Sequence, residues 1–98
     1  VFALDDLERV SQPYWGAYGI AQHGLAAMVG MLHAELASSS VRVSALQPGP
    51  MRTGLRSRAY ADDNDLQARE AADYADAWVT LLSSAGAANR GQVWKVRA

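Results

Sequence analysis

The chain has 98 residues, half of them hydrophobic and 19% charged, which is a globular composition with room for one domain and a modest core. Its formal net charge of −1 leaves no electrostatic footprint for nucleic acid. The absence of cysteine excludes a disulfide framework and a thiolate metal site, and it fits a reducing, cytoplasmic location.

Val1-Phe2-Ala3-Leu4 reads as a short buried strand that Asp5-Asp6 bring to a stop. A domain rarely starts inside a strand, so the chain is expected to be the C-terminal piece of a longer protein. Leu7 to Tyr14 reads as a loop broken by Ser11 and Pro13. A helix is predicted from Gly16 to about Ala37, with positions 21, 25, 28, 32 and 36 along one apolar face. No Asp, Glu, Lys or Arg occurs between Gly16 and Ala34. A surface helix normally keeps a charged face towards water, so this one is expected to be covered by a sheet and by a second partner. Its length raises the question of a membrane span. Gln22, His23, His33 and the many Gly and Ala residues argue against one. Gly19, Gly24 and Gly30 would let another backbone come close, and each costs about 1 kcal/mol against Ala in a helix. His23 and His33 are off the spacing of a helical metal pair and read as surface or interface imidazoles.

Val41 to Leu46 reads as a second strand, closed by Pro48-Gly49-Pro50. Strand, long helix and strand make a βαβ unit, so the two strands are predicted to be parallel. Residues 51–68 are polar and irregular, with a short helix around Thr53 to Arg58. Arg52, Arg56 and Arg58 read as a solvated loop rather than an anion grip. Asp62-Asp63-Asn64-Asp65 lacks the later Glu of a calcium loop and reads as exposed. Arg69 to Ser83 is predicted to be a second amphipathic helix with Ala72, Ala75, Val79 and Leu82 inward. Gly86 to Gly91 reads as a turn, and Gln92 to Val96 alternates like a last strand. The expected architecture is α/β, with three strands and two main helices.

Several of these features together resemble the short-chain dehydrogenases/reductases. Tyr18 with Gln22 four residues on, a strand ending in Pro48-Gly49, Thr53 beyond it and the closing Gly91-Gln92-Val93 follow that family's order and spacing. Trp15-Gly16-Ala17-Tyr18 is similar to a bacterial oxidoreductase branch. The resemblance implies the C-terminal half of a doubly wound parallel Rossmann sheet, with residues 1–98 a partial domain and the dinucleotide-binding half absent. It implies an NAD- or NADP-dependent oxidoreductase acting on an alcohol or carbonyl. Tyr18 falls on the family's general acid/base. Pro48, Gly49 and Thr53 fall on its cofactor loop. Gln22 stands at the family's Lys position, and Asp5 or Asp6 at its Ser position.

Those departures matter physically. A phenol has a reference pKa of about 10, and its anion needs a nearby cation to trade protons near neutral pH. Gln22 can only hydrogen-bond. A carboxylate at Asp5 about 5 Å away would oppose the tyrosinate by roughly 3 kcal/mol at an effective dielectric of about 20. The catalytic set is therefore read as degenerate, with Tyr18 a neutral phenol. No GxGxxG-like run exists in these residues, so the chain alone is expected to bind neither cofactor. Alternatives left open are an inactive family member that serves as a binding or dimerisation partner, and a non-functional truncated product. The uncharged helix is expected to pair copies of the chain over residues 16–37, as family members pair through it. Neither a nucleic-acid partner nor a membrane is expected.

Overall fold

The computed structural model describes residues 1–59 and 68–96. Three strands, β1 (Phe2–Ala3), β2 (Ala45–Pro48) and β3 (Val93–Val96), alternate with helices α1 (Gly16–Glu35), α2 (Gly54–Ala59) and α3 (Ala75–Leu82). Single 3-10 turns lie at Arg9–Ser11, Ala71–Tyr74 and Ser84–Asn89. The sheet order is β1-β2-β3 with both pairs parallel, Ala45 facing Phe2 on one side and Val93 on the other. The predicted second strand is displaced along the chain. Residues 41–44 lead in, and the paired segment runs on to Pro48, the last residue of the strand, opposite Val96.

β2 is the centre of the core. Ala45 and Leu46 are both fully buried, and consecutive strand residues point to opposite faces. Ala45 joins Leu4, Val29 and Val43 in a cluster closed by Leu25, Ala26, Leu32 and Leu36 of the α1 side. Leu46 joins Ala77 and Leu81 of α3, with Trp78, Trp94 and Val96 around them. One helix thus covers each face of a parallel sheet, the doubly wound arrangement.

The helix faces needed correction. On α1, Leu25, Leu32 and Leu36 pack inward as predicted, but Ala21 and Met28 are exposed and Val29 fills the core instead. The outer face, which includes Ile20, Gly24, Ala27 and Met31, carries no charge and has no cover within the described residues. Among Gly19, Gly24 and Gly30, Gly19 is the one another backbone approaches, since a Cβ there would run into the carbonyl of Val10. Gly24 and Gly30 face open space.

The second helix is turned relative to the predicted face. Ala72, Ala75, Val79 and Leu82 are exposed, while Tyr74, Ala77 and Leu81 are buried. Both sets follow a three-and-four spacing, so periodicity alone could not choose. The choice is made by a capping box between Glu70 and Asp73, which opens the segment as a 3-10 turn, and by Tyr74, which reaches the loop after β2.

Arg90 ties the ends of two elements together. Its Nη2 lies 2.9 Å from the carbonyl of Leu36, and 3.2–3.3 Å from those of Ala37, Ser39 and Val41. These are the carbonyls just past the C-terminus of α1, where a cation is favoured. The adjoining Gly91 has φ +73° and lies against the imidazole of His33, which leaves no room for a Cβ. His33 is thus half-buried packing against the turn before β3, rather than the surface or interface group predicted.

Candidate active site

Parallel strands leave their C-terminal ends, and the loops that follow, on one edge of the sheet, where α/β folds place ligands. Here that edge carries Asp5 after β1 and Pro48-Gly49-Pro50 at the end of β2. The first turns of α1 bring Tyr18 and Gln22 to the same edge on one helical face. These residues line an open cleft of about 540 Å³ together with Trp15, Met51, Thr53, Leu55 and Arg56. The volume lies within the range of small-molecule sites.

Asp5 is the hub. The Tyr18 hydroxyl donates to its Oδ2 at 2.7 Å. Its Oδ1 accepts from the backbone N–H of Asp6 at 2.7 Å and from Arg9 Nη2, with which it forms an ion pair. The Asp5 backbone N–H in turn donates to Gln22 Oε1 at 2.9 Å. The structure therefore resolves the register left open in the sequence: Asp5, not Asp6, meets Tyr18. Asp6 turns its Oδ1 towards the N–H groups of Glu8 and Arg9 and shapes the 3-10 turn there.

Two features of the site escaped sequence reasoning. Asp5 is in direct contact with the phenol rather than about 5 Å away, and Arg9 adds a positive charge beside it, offsetting part of the opposition that a lone carboxylate would bring. Arg9 also lies over the Trp15 ring, 5.8 Å from its centroid, and Trp15 packs on Tyr18 with ring centroids 5.8 Å apart. The signal is a pair of opposite charges four residues apart, in a stretch that Ser11 and Pro13 make look like a loop. The 3-10 turn at Arg9–Ser11 is what swings Arg9 back onto Asp5.

The loop residues have structural partners of their own. A Cβ on Gly49 would lie 2.5 Å from the Tyr74 hydroxyl, and that hydroxyl donates to the Pro50 carbonyl at 3.2 Å. Tyr74, unremarked in the sequence, thus braces the loop from behind. Thr53 Oγ1 accepts the N–H of Arg56 at 3.1 Å and caps α2, which leaves its own O–H as a donor. Arg52 pairs with Glu70 at 2.7 Å and belongs to the solvated loop, whereas Arg56 lines the cleft. His23 is exposed and shares a 2.6 Å hydrogen bond with Ser11. No group of side chains suited to a metal occurs among the described residues. Asp62-Asp63-Asn64-Asp65 lies outside them. No described helix is long and apolar enough to cross a membrane.

Comparison with known proteins agrees with this fold. A family model described as enoyl-(acyl carrier protein) reductase matches residues 3–96. No curated protein matches the chain. A solved structure from Pseudomonas syringae, described as a short chain dehydrogenase, is 28% identical with a TM-score of 0.84, over 95% of this chain and 38% of its own. A short chain dehydrogenase from Salmonella enterica serovar Typhi is 23% identical with a TM-score of 0.86, over 96% of this chain and 39% of its own. One from Escherichia coli, complexed with NADPH, is 22% identical with a TM-score of 0.85 over the same shares. The last two show the fold alone. The chain spans under two-fifths of the length of these structures. With the model matching nearly end to end, the chain belongs to the short-chain dehydrogenase/reductase family.

Proposed function

We propose that this chain is the C-terminal part of an NAD(P)-dependent oxidoreductase acting on an alcohol or carbonyl, with an altered catalytic set. The observation that carries this reading is the placement of Tyr18 and Gln22, one helical turn apart, beside the Pro48-Gly49-Pro50 loop in one cleft at the C-terminal edge of a parallel sheet. Tyr18 serves as the group that exchanges a proton with the reacting oxygen. Gln22 takes the place of a cation with an amide, and Asp5 takes the place of a hydroxyl with a carboxylate.

The cleft suits a nicotinamide ring by its donor set and walls. Pro48, Pro50 and Met51 offer apolar surface, and the Thr53 hydroxyl offers a hydrogen for a carboxamide oxygen. Once bound, the nicotinamide supplies the two-electron redox chemistry. Residues that would hold its pyrophosphate are not found in this chain, so the upstream half of the whole protein provides them, and the 98 residues alone bind neither NADH nor NADPH.

A second reading has its own observation. The outer face of α1 is uncharged and apolar from Ile20, 75% exposed, to Met31, 61% exposed. Such a face suits a second copy of the chain, so the protein pairs through α1 whether or not it turns over. A panel of alcohols and carbonyls with NAD(H) and NADP(H), run on the whole protein and on Tyr18→Phe, separates the two. Turnover lost in Tyr18→Phe supports the oxidoreductase. Dinucleotide binding without turnover, in a protein that still dimerises, supports the pairing partner.

A further inference from the structure

We infer that Tyr74 and Gly49 form an interlock that sets the position of the Pro48-Gly49-Pro50 loop, so that Tyr74 is a positioning residue for the cleft. The consequence for cofactor binding rests on the oxidoreductase reading, whereas the interlock itself does not. Gly49 has no positive φ, so its backbone is one that alanine adopts without strain. What excludes a side chain is the Tyr74 hydroxyl, 2.5 Å from the place a Cβ would take. The ring carbon behind it, Cζ, is 3.5 Å from that place, an ordinary contact, and the Val96 carbonyl oxygen lies at 3.7 Å. A single oxygen atom therefore accounts for glycine at position 49.

That oxygen has little freedom to move aside. Tyr74 is 2% exposed and ends the 3-10 turn that leads into α3, a turn opened by the capping box of Glu70 and Asp73. Its ring is rigid, and its hydroxyl donates to the Pro50 carbonyl at 3.2 Å. The same carbonyl accepts the N–H of Arg69 at 2.9 Å, and the Arg69 carbonyl accepts the N–H of Arg52 at 2.7 Å. These bonds tie the segment before α3 to the loop, along a parallel bridge between Met51 and Arg69. Backbone bonds thus hold the loop sideways, and contact of Gly49 with Tyr74 sets its depth. Gly49, Pro50, Met51 and Thr53 line the cleft and Tyr74 does not. A methyl group at position 49 would be aimed at Tyr74 rather than at a bound ligand. Ordinary contact with the hydroxyl would then require the cleft wall to shift by about 1 Å.

The test is a cycle of Gly49→Ala, Tyr74→Phe and the double variant. In the 98-residue chain, Gly49→Ala is expected to lower the melting temperature by about 10 °C, as overfilling a packed site does. It should also shift the amide NMR signals of Met51 and Thr53. Tyr74→Phe should be milder, because the Pro50 carbonyl keeps the N–H of Arg69. The double variant should melt within about 3 °C of Tyr74→Phe, with both signals returned towards their original positions. In the whole protein, Gly49→Ala should lower kcat/KM for the dinucleotide about 100-fold through a raised KM, and the double variant should regain at least about tenfold. Mere destabilisation would instead remove active molecules at an unchanged KM. A double variant no better than Gly49→Ala would overturn the inference, as would Gly49→Ala melting with the unaltered chain. Should Gly49→Ala fail to fold, a folded double variant supports the interlock and an unfolded one overturns it. Rescued stability with the Met51 and Thr53 signals still displaced, or an active Gly49→Ala enzyme with an unchanged dinucleotide KM, would overturn the positioning role. A whole protein that binds no dinucleotide, beside a chain that shows the full rescue, sinks only the oxidoreductase reading.

Discussion

Changing Gln22 to Lys and Asp5 to Ser together is expected to raise carbonyl reduction by the whole protein about 100-fold or more, the usual contribution of a working general acid/base. The single changes should fall well short, and in a definite order. Gln22→Lys alone places an ammonium next to the Asp5 carboxylate, where the two pair with each other while the phenol proton stays on Asp5. It also removes the oxygen that accepts the Asp5 N–H, a loss of about 1–3 kcal/mol if that group is left unsatisfied. Asp5→Ser alone frees the phenol proton and supplies a second donor to a substrate carbonyl, so it should gain more. Both residues act on one proton transfer, so the double change should exceed the product of the singles. NAD(P)H oxidation against a carbonyl panel from pH 6 to 10 reads all four proteins. Vigorous carbonyl reduction by the unaltered protein, lost on Tyr18→Phe, would show that Gln22 and Asp5 already suffice.

Val29→Asp is expected to abolish the fold, whereas Met31→Asp, two residues along the same helix, leaves it intact and breaks the pairing of copies. Val29 is 1% exposed and sits against Leu4, Val43 and Ala45, with no cation in that cluster. An unpaired buried charge costs about 3–5 kcal/mol, a large share of the 5–15 kcal/mol that stabilises a typical domain. Met31 is 61% exposed, and substitutions at such positions usually change stability by less than about 0.5 kcal/mol. A charge there does interrupt the uncharged outer face. Light scattering at tens of micromolar should therefore show the unaltered chain as a dimer or larger and Met31→Asp as a folded monomer, while circular dichroism shows Val29→Asp unfolded. A monomeric unaltered chain would refute the pairing. A Met31→Asp protein that stays paired would move the interface off α1.

The contrast between these two positions shows where the sequence was legible. A strand, a long uncharged helix and a second strand in that order dictate a parallel βαβ unit. The family resemblance carried by Tyr18, Gln22 and Pro48-Gly49 implies that the start of the long helix and the end of the second strand meet at one sheet edge. What periodicity could not choose was the inward face of a helix that is apolar nearly all round. Val29 and Met28 are equally apolar neighbours on α1, and only the packing against Val43 and Ala45 decides between them. On the second helix the same ambiguity reversed the outcome, since Tyr74, Ala77 and Leu81 compete with Ala75, Val79 and Leu82 at the same spacing. Tertiary partners settled it, chiefly the reach of Tyr74 to Pro50.

The polar network was legible in its members but not in its wiring. The family resemblance puts Asp5 or Asp6 near Tyr18. That Arg9 would share the carboxylate depends on a 3-10 turn that no simple period announces. Arg90 is a further case, because the carbonyls it gathers lie 49 to 54 residues earlier in the chain. Such contacts follow from where the sheet brings β3, which local patterns do not encode.

The bond from Tyr18 to Asp5 underlies the altered catalytic set, so a double-mutant cycle on that pair is the most direct test. Tyr18→Phe, Asp5→Ala and the double variant of the chain would be unfolded in urea alongside the unaltered protein. A coupling of about 1 kcal/mol is expected for a hydrogen bond of this kind at a partly exposed site. A coupling within about 0.3 kcal/mol of zero, the range of independent sites, would contradict it.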